Sequence, residues 1–273
     1  MKRPFKICAI FIAVFFAGTA LFISSSYALK VNIDTARVEL TVKPGEEKGG
    51  FVTVQNYDET GTVHMKAYTQ DLVYLPDGSN DFLPVGSTPW TLGDHLKIGP
   101  TEFDLGPGKQ EVVRYVVSLP PDAKGGRYGV IFFEVAMPPS QFERVGAAMN
   151  VRLGTILLVT VENTDIVKVK LKGVSVAKPK VDVPLTISCV VYNEGNVLAR
   201  PTGDVKLINE AKEEVAAFSI NKDKSGVLPK TNRTYFAEYK DGAALKKGTY
   251  YAQVVLDYGG EAYLGGQTKF VID

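Results

Sequence analysis

The sequence has 273 residues, of which 45% are hydrophobic and 22% are charged. Its 31 basic and 30 acidic residues nearly cancel, which gives a formal net charge of +1 at pH 7. Proteins that bind nucleic acids or anionic membrane surfaces need a cationic surface, so this balance argues against both kinds of partner.

The chain begins with the pattern of a secretory signal. Three basic residues precede Ile7–Ile23, an almost wholly apolar run, and Ser26–Ala28 offers a small-x-small site for signal peptidase. We therefore predict a signal peptide over residues 1–28 and a mature protein that is periplasmic or secreted, without a stable membrane anchor. The alternative is an uncleaved anchor, because the apolar run is close to the ~17-residue minimum for spanning a bilayer.

The predicted mature chain is mildly acidic and has no pair of cysteines. The signal contains three basic residues and no acidic one, so 245 residues with a net charge of −2 remain. Cys8 is lost with the signal, and only Cys189 is left. Cys189 lies on the apolar face of an alternating run, which indicates a buried small hydrophobe rather than a nucleophile.

From residue 31 onward, short alternating runs are separated by turn residues. The first strand breaks near Thr35-Ala36, and a turn-rich connection runs from Leu75 to Pro100. The other predicted strands of the first half are Phe51–Gln55, Val63–Tyr68, Glu111–Leu119, Arg127–Val135 and Gly146–Val161. No stretch keeps a helical i, i+3, i+4 spacing for more than about one turn, so the pattern predicts an all-β sandwich.

The second half repeats this plan. Its predicted strands are Val167–Lys172, Leu185–Tyr192, Val205–Ile208, Val215–Ile220, Thr234–Tyr239, Thr249–Tyr258 and Lys269–Ile272. We therefore predict an all-β fold of two tandem immunoglobulin-like β-sandwich domains after the signal peptide. The first domain covers residues 29–163 and the second residues 164–273, with the boundary near Glu162–Asp165.

A repeated spacing supports the tandem arrangement. Pro107 precedes Tyr128 by 21 residues, and Pro229 precedes Tyr250 by the same 21 residues. Each tyrosine falls near the start of a penultimate strand, where a tyrosine typically anchors a corner loop in immunoglobulin-like sandwiches. We expect both tyrosines to have that role.

The most informative stretch is Gly146–Val161. Its first half places Met149, Val151 and Leu153 on one face, and from Thr155 onward both faces become mostly apolar. Alternation predicts a half-buried strand, and an apolar run on both faces predicts burial between two layers. Two interpretations stay open: an edge strand that pairs with a foreign strand, or simply the last strand of a sandwich.

Residues that carry catalysis or bind metals are sparse. His64 and His95 are the only histidines, and neither has a Cys or a second His at ligand spacing. Asp77–Asp81 begins like a calcium loop, but Phe82 and Thr88 stand where that motif needs Gly and Glu, so we predict a turn. We predict no enzymatic activity, no metal site and no cofactor.

Three motifs, taken in order, resemble a known family. They are Ile33–Val38 (IDTARV), Pro100–Gly108 (PTEFDLGPG) and Pro138-Pro139 followed by the alternating strand. By the order and spacing of these motifs, residues 31–161 are similar to the periplasmic pilus-assembly (PapD-like) chaperones, as a divergent member. The resemblance implies two immunoglobulin-like domains and donor-strand complementation, in which the chaperone's edge strand completes an unfinished, secreted fibre subunit.

The resemblance also implies the residues of a binding site. The face offered to the subunit would consist of Met149, Val151, Leu153, Thr155 and Leu157. Two basic residues in the interdomain cleft of such chaperones hold the subunit's C-terminal carboxylate. Arg37 matches the first by position, whereas Leu158 stands near the position of the second. The implied partners are a secreted fibre or pilus subunit and an outer-membrane usher.

A second hypothesis comes from a different class of protein. The two sandwiches would form a non-enzymatic structural or adhesive module of the cell envelope. The hypotheses differ in the face that carries Val151: a chaperone leaves it open to a partner, and a structural module buries it in its own sheet. Val151→Asp would therefore unfold the structural module and leave the chaperone folded.

Overall fold

The computed structural model describes residues 30–135, 151–177 and 184–272. The chain divides into two compact units, Met1–Lys30 and Val31–Asp273, and of the first unit only Lys30 is described. The predicted signal peptide and Met149 therefore lie outside the described residues. Within the part of the chain that is described, no helix is long and apolar enough to cross a membrane.

The first half of the larger unit is a β-sandwich. Its strands are β1 (Val31–Ile33), β2 (Arg37–Val42), β3 (Glu47–Asn56), β4 (Val63–Tyr74), β5 (Asn80–Leu83), β6 (Leu96–Gly99), β7 (Glu102–Leu105), β8 (Gln110–Ser118), β9 (Gly126–Val135) and β10 (Arg152–Val161). A short 3₁₀ helix covers Gly93–His95. One sheet has the order β1-β3-β8-β6, and the other has the order β2-β10-β9-β4-β5, with β7 paired to β4. Alternate side chains such as Val52, Val113 and Phe133 are fully buried in the core.

The first predicted strand forms two strands that lie in different sheets. β1 pairs antiparallel with β3, whereas β2 pairs parallel with β10. The chain changes sheet at Thr35 and Ala36, where the sequence indicated a break. The Thr35 carbonyl accepts a hydrogen bond from Thr155 Oγ1 (2.6 Å), and the Ala36 carbonyl accepts one from the Ile156 N–H (2.9 Å). The crossover is therefore fastened to β10.

The second half is another β-sandwich. Its strands are β11 (Val169–Ala177), β12 (Leu185–Asn193), β13 (Thr202–Asn209), β14 (Glu214–Ile220), β15 (Asn232–Tyr239), β16 (Gly248–Asp257) and β17 (Leu264–Ile272), with a 3₁₀ helix at Lys240–Ala244. One sheet has the order β11-β12-β15, and the other has the order β14-β13-β16-β17. β17 begins before the predicted Lys269 because its glycines belong to the strand. A Cβ on Gly266 would lie 2.6 Å from Leu171 Cδ2, so this glycine permits the close approach of β17 to β11.

Each sandwich ends one interior strand with a buried asparagine. Asn56 closes β3 and Asn193 closes β12, and both side chains are 0% exposed. The Asn56 Nδ2 donates to loop carbonyls at 2.8 and 3.0 Å, and the Asn193 Nδ2 donates to two others at 2.7 and 2.9 Å. Because buried polar groups need partners, these amides fix the loops at equivalent places in the two sandwiches.

The two tyrosines with repeated spacing have different partners. The Tyr250 hydroxyl donates to the Lys246 carbonyl at 2.8 Å, which is the expected corner. The Tyr128 hydroxyl instead accepts the Leu198 N–H at 2.6 Å, and Leu198 belongs to the second sandwich. The expectation of a corner at Tyr128 is therefore wrong, because this hydroxyl reaches across the junction between the sandwiches.

Tyr128→Phe should destabilise the protein, because it removes the acceptor of the Leu198 N–H at the junction. We expect urea denaturation to show a loss of about 1–3 kcal/mol in the free energy of unfolding. Tyr250→Phe is the matched control, since its lost hydroxyl bonds a carbonyl within one sandwich, and we expect a smaller loss. Equal losses in the two variants would contradict a special role for Tyr128 at the junction.

Candidate functional site

β10 is paired along one edge for its whole length, and along the other edge only in its second half. It pairs antiparallel with β9 from Arg152 to Thr160, and parallel with β2 from Ile156 to Val161. Among the described residues, no strand pairs with the other edge of residues 151–155. We call this stretch, residues 151–155, the open edge, and it is the candidate site.

The backbone groups of the open edge can be assigned from their neighbours. The Ile156 N–H points toward β2, since it donates to the backbone just before that strand (2.9 Å), and the Val151 carbonyl points toward β9, since it accepts the Val135 N–H (3.2 Å). Backbone groups alternate in direction along a strand, so those of Arg152 and Gly154 point outward at the open edge. Unpaired donors and acceptors of this kind are what strand addition requires.

The residues predicted to face a partner lie on the interior side of β10. Thr155 and Leu157 are both 0% exposed there, whereas Val151 and Leu153 are half-buried. Met149 lies outside the described residues. In this structure Thr155 and Leu157 belong to the protein's own core rather than to a surface that a partner can reach. Val151 and Leu153, called the apolar pair below, are the members of the predicted face that lie on the open edge.

The position at which the resemblance implied a second cation is apolar and buried. Leu158 is 5% exposed. It packs in a cluster with Leu72, Tyr74, Trp90, Tyr128 and Leu228. Leu228 comes from the second sandwich, so this cluster lies across the junction. Hydrophobic contact between the sandwiches therefore occupies the place where a basic residue was expected.

Arg37 lies exposed at the start of β2. Nearby on the same strand, the Glu39 carboxylate pairs with the Arg200 guanidinium of the second sandwich at 2.6 Å. Burial raises the pKa of the Tyr74 phenol, and the charge of Glu39 adds to that rise. Three guanidinium groups oppose that rise, those of Arg37, Arg233 and Arg200. The region is therefore cationic, although Leu158 supplies no charge.

Arg200 is a residue of this region that the sequence analysis missed. Arg200 lies after β12, in a stretch of the sequence where apolar and polar residues do not alternate, so no local sequence pattern marks it. A cavity of about 140 Å³ lies beside its ion pair with Glu39, and Tyr128, Leu158 and Leu198 also line this cavity. Arg200 is identified by its ion pair with Glu39, a residue distant in sequence, and only the tertiary fold reveals this pair.

Arg233 fastens the two sandwiches to each other. Its guanidinium carbon lies 5.5 Å from the ring centres of Tyr74 and Tyr235, one in each sandwich. The same group donates to the carbonyls of Gly226 (2.6 Å) and Gly78 (3.3 Å). A guanidinium that is stacked and hydrogen-bonded in this way is held in place, so Arg233 is less free than Arg37 to bind a ligand.

Other reactive side chains lie away from this region. His64 pairs with Asp104 at the surface (2.7 Å). Cys189 is 0% exposed, and burial raises the pKa of its thiol to about 12. Its position in the core confirms the prediction of a buried small hydrophobe. In the described ranges, no three His, Cys, Asp or Glu side chains are grouped so that they could hold a metal ion.

No family model matches the sequence, and no curated protein matches it either. Solved structures similar to this chain include the class 5 fimbriae chaperone CfaA, with 13% identity, coverage of 88% of this chain and 98% of that chain, and a TM-score of 0.47. Another is the chaperone–tip adhesin complex of CFA/I fimbriae, with 14% identity, 88% and 97% coverage, and a TM-score of 0.48. A third is the Salmonella enterica SafA pilin in complex with the SafB chaperone, with 14% identity, 91% and 99% coverage, and a TM-score of 0.42. These are structures of fimbrial chaperones, the family that the sequence motifs resemble.

Substitutions on the two halves of the predicted face should destabilise the fold to different extents. Leu157→Ala removes a fully buried side chain and should cost about 2–5 kcal/mol in the free energy of unfolding. Val151→Asp changes a half-buried residue before β10 and should cost no more than about 1 kcal/mol. Urea denaturation measures both. If Val151→Asp unfolds the protein, Val151 is ordinary core and the open edge is not open.

Proposed function

We propose that this protein is a periplasmic chaperone-like protein that caps a secreted fibre or pilus subunit by pairing one of the subunit's strands with the open edge. The observation that carries the proposal is the row of outward-pointing backbone groups beside the apolar pair, which no strand of the described chain pairs. Backbone hydrogen bonds would supply affinity, and side chains at alternate positions would supply specificity. The predicted signal peptide would bring the protein to the subunit, and an outer-membrane usher would be a later partner.

The charge at one end of the open edge favours one direction for the partner strand. β2 runs parallel to β10 and begins at Arg37, so a partner strand on the open edge would lie in line with β2. A strand parallel to β10 would bring its C-terminus to Arg37, whereas an antiparallel strand would bring its N-terminus there. A guanidinium attracts a carboxylate and repels an ammonium group. We therefore propose a parallel strand that ends in a free carboxylate.

We propose that Arg200 supplies the second positive charge of this carboxylate anchor. Its side chain is 31% exposed and that of Glu39 is 52% exposed. Ion pairs at such exposure contribute little to stability, so Arg200 can exchange the Glu39 carboxylate for one from a partner at small cost. Because Leu158 supplies no charge at the second position, Arg200 from the second sandwich would complete the carboxylate anchor together with Arg37.

One observation favours the second hypothesis, a structural or adhesive envelope module. Thr155 and Leu157 are wholly buried in the protein's own sandwich. If the apolar pair were covered in the same way, β10 would be only the last strand of that sandwich. The two proposals therefore separate at Val151 and Leu153, where a partner strand either binds or does not.

Val151→Asp should abolish partner binding while the protein stays folded. Burying an aliphatic side chain contributes about 1.5–3 kcal/mol, and a buried unpaired carboxylate opposes binding, so affinity should fall at least about a hundredfold. The measurement is affinity capture from the native cell envelope, with mass spectrometry of the captured protein. A photo-crosslinking residue at position 153 would show whether the contact is with the last strand of the captured subunit.

Val112→Asp is the matched control for this experiment. Val112 is 39% exposed on β8, in the sheet that does not contain the open edge. The Val112→Asp variant should capture the same β-rich subunit as the wild type does. Equal retention of the subunit by the Val151 variant, or no subunit bound by the wild type, would contradict strand donation and leave the structural module as the better hypothesis.

Arg37→Ala should weaken binding of the same subunit by about 10–100-fold, because it removes a charge-assisted hydrogen bond to the terminal carboxylate. Extending the subunit's C-terminus by one residue should weaken binding to the wild type equally, and should add no further loss in the Arg37→Ala variant. Titration calorimetry of the four combinations measures this coupling. Arg114→Ala, at an exposed arginine on β8, is the control. Losses that simply add would show that Arg37 does not contact the carboxylate.

A further inference from the structure

Arg152 is the first residue of β10, and its side chain lies on the face opposite the apolar pair. The guanidinium carbon is 4.2 Å from the ring centre of Phe132 and 5.6 Å from that of Phe82. A guanidinium nitrogen also donates to Gln70 Oε1 at 3.1 Å. These residues belong to β9, β5 and β4, so one side chain ties the start of β10 across the sheet.

The aromatic rings that contact Arg152 are held in place by their own neighbours. Phe132 packs edge to face against Phe82, with 4.8 Å between ring centres, and lies 5.7 Å from the Tyr68 ring. The Tyr68 hydroxyl donates to Glu134 Oε2 at 2.6 Å. Phe132 is only 4% exposed. Arg152 therefore stacks on a fixed platform rather than on a mobile surface ring.

Thr155 is fixed at one end of the open edge by the hydrogen bond from its hydroxyl to the Thr35 carbonyl, but the described contacts of residues 151–154 fix their register less firmly. Residues 151–155 pair only with β9, and Gly154 offers no side chain to either face. A Cβ on Gly154 would lie 3.0 Å from the Phe132 ring, so a side chain there would require the ring to move by a few tenths of an ångström. Weakly specified strands slip by one residue, and a slip turns every side chain to the opposite face. A slip here would carry the Arg152 charge into the apolar interior, where an unpaired charge is costly.

We infer that Arg152 is a positioning residue, which holds the open edge in the register that presents the apolar pair to a partner strand. The inference rests on the proposed function, since Arg152 itself would act through the strand without touching the apolar groove of the partner. A cation–π contact and a hydrogen bond together correspond to about a tenfold shift in an equilibrium. That is the size of the effect to be measured.

Arg152→Ala should increase the local opening of the open edge, but not that of the part of β10 that pairs with β2. The Val135 N–H donates to the Val151 carbonyl at 3.2 Å, so its hydrogen exchange, followed by NMR in the free protein, should quicken about tenfold. The Ile156 N–H, bonded at 2.9 Å beside β2, should exchange at an unchanged rate. The melting temperature should fall by only a few degrees, because the lost contacts correspond to about a tenfold shift and the core is intact.

Two further variants sharpen this test. Arg152→Lys keeps a cation over Phe132 but loses the planar fork that reaches Gln70, so its Val135 exchange rate should be intermediate. Arg114→Ala removes an exposed arginine from the other sheet and should change neither amide. The same four proteins are then compared for the dissociation rate of the captured subunit, which should rise about tenfold for Arg152→Ala and less for Arg152→Lys.

Faster Val135 exchange together with faster subunit dissociation would support the positioning role. An unchanged rate of Val135 exchange in Arg152→Ala would overturn it. Faster Val135 exchange with an unchanged rate of subunit dissociation would also overturn it, because Arg152 would then stabilise the strand without affecting partner binding. The exchange measurement needs no partner, so a failure of Arg152 is seen in the free protein. A failure of the proposed function is seen instead when the wild type binds no subunit, and the positioning role falls with it.

Discussion

The structure depends on the place where the chain changes sheet between β1 and β2. Two carbonyls of that crossover accept hydrogen bonds from Thr155 Oγ1 and the Ile156 N–H. β2 can therefore begin to pair with β10 only at Ile156, and every residue before it keeps one edge free of strands in the described chain. The open edge ends at Thr155 because the crossover is fastened there by these two bonds.

At the junction between the sandwiches, a hydrophobic contact stands where the family resemblance implied a basic residue. Leu158 packs across it with Tyr128 and Leu228, and hydrophobic contact needs no exact partner geometry. The positive charge is carried instead by arginines at the rim. Arg233 stacks between two tyrosines, and Arg200 reaches Glu39. The junction therefore has an apolar centre, and its charged groups lie at the edge, where an exposed ion pair contributes little to stability.

The sequence predicted the strands well, because period-two alternation and turn residues report directly on a half-buried sheet. It could not show which residues of β10 belong to a partner, since interior and partner-facing residues alternate with the same period along a strand. For that reason it did not show that Thr155 and Leu157 are buried in the protein's own core. Tyr128 and Tyr250 have similar local sequences, yet one bonds its own corner and the other the second sandwich. Contacts of that kind, like the Arg200 pair, depend on segments that are distant in sequence.

Alternate residues of β10 point to the same side of the strand. One strand can therefore serve both the protein's own core and a partner. Val151 and Leu153 continue the line of Thr155 and Leu157 along the interior face of β10. A partner strand on the open edge would therefore extend the core of the first sandwich instead of forming a separate interface. Thr155 stands at the transition, with its hydroxyl bonded to the crossover, so no polar group is left unpaired where one core would meet the other. Binding would then be driven by the same burial of alternate apolar side chains that folds the sheet.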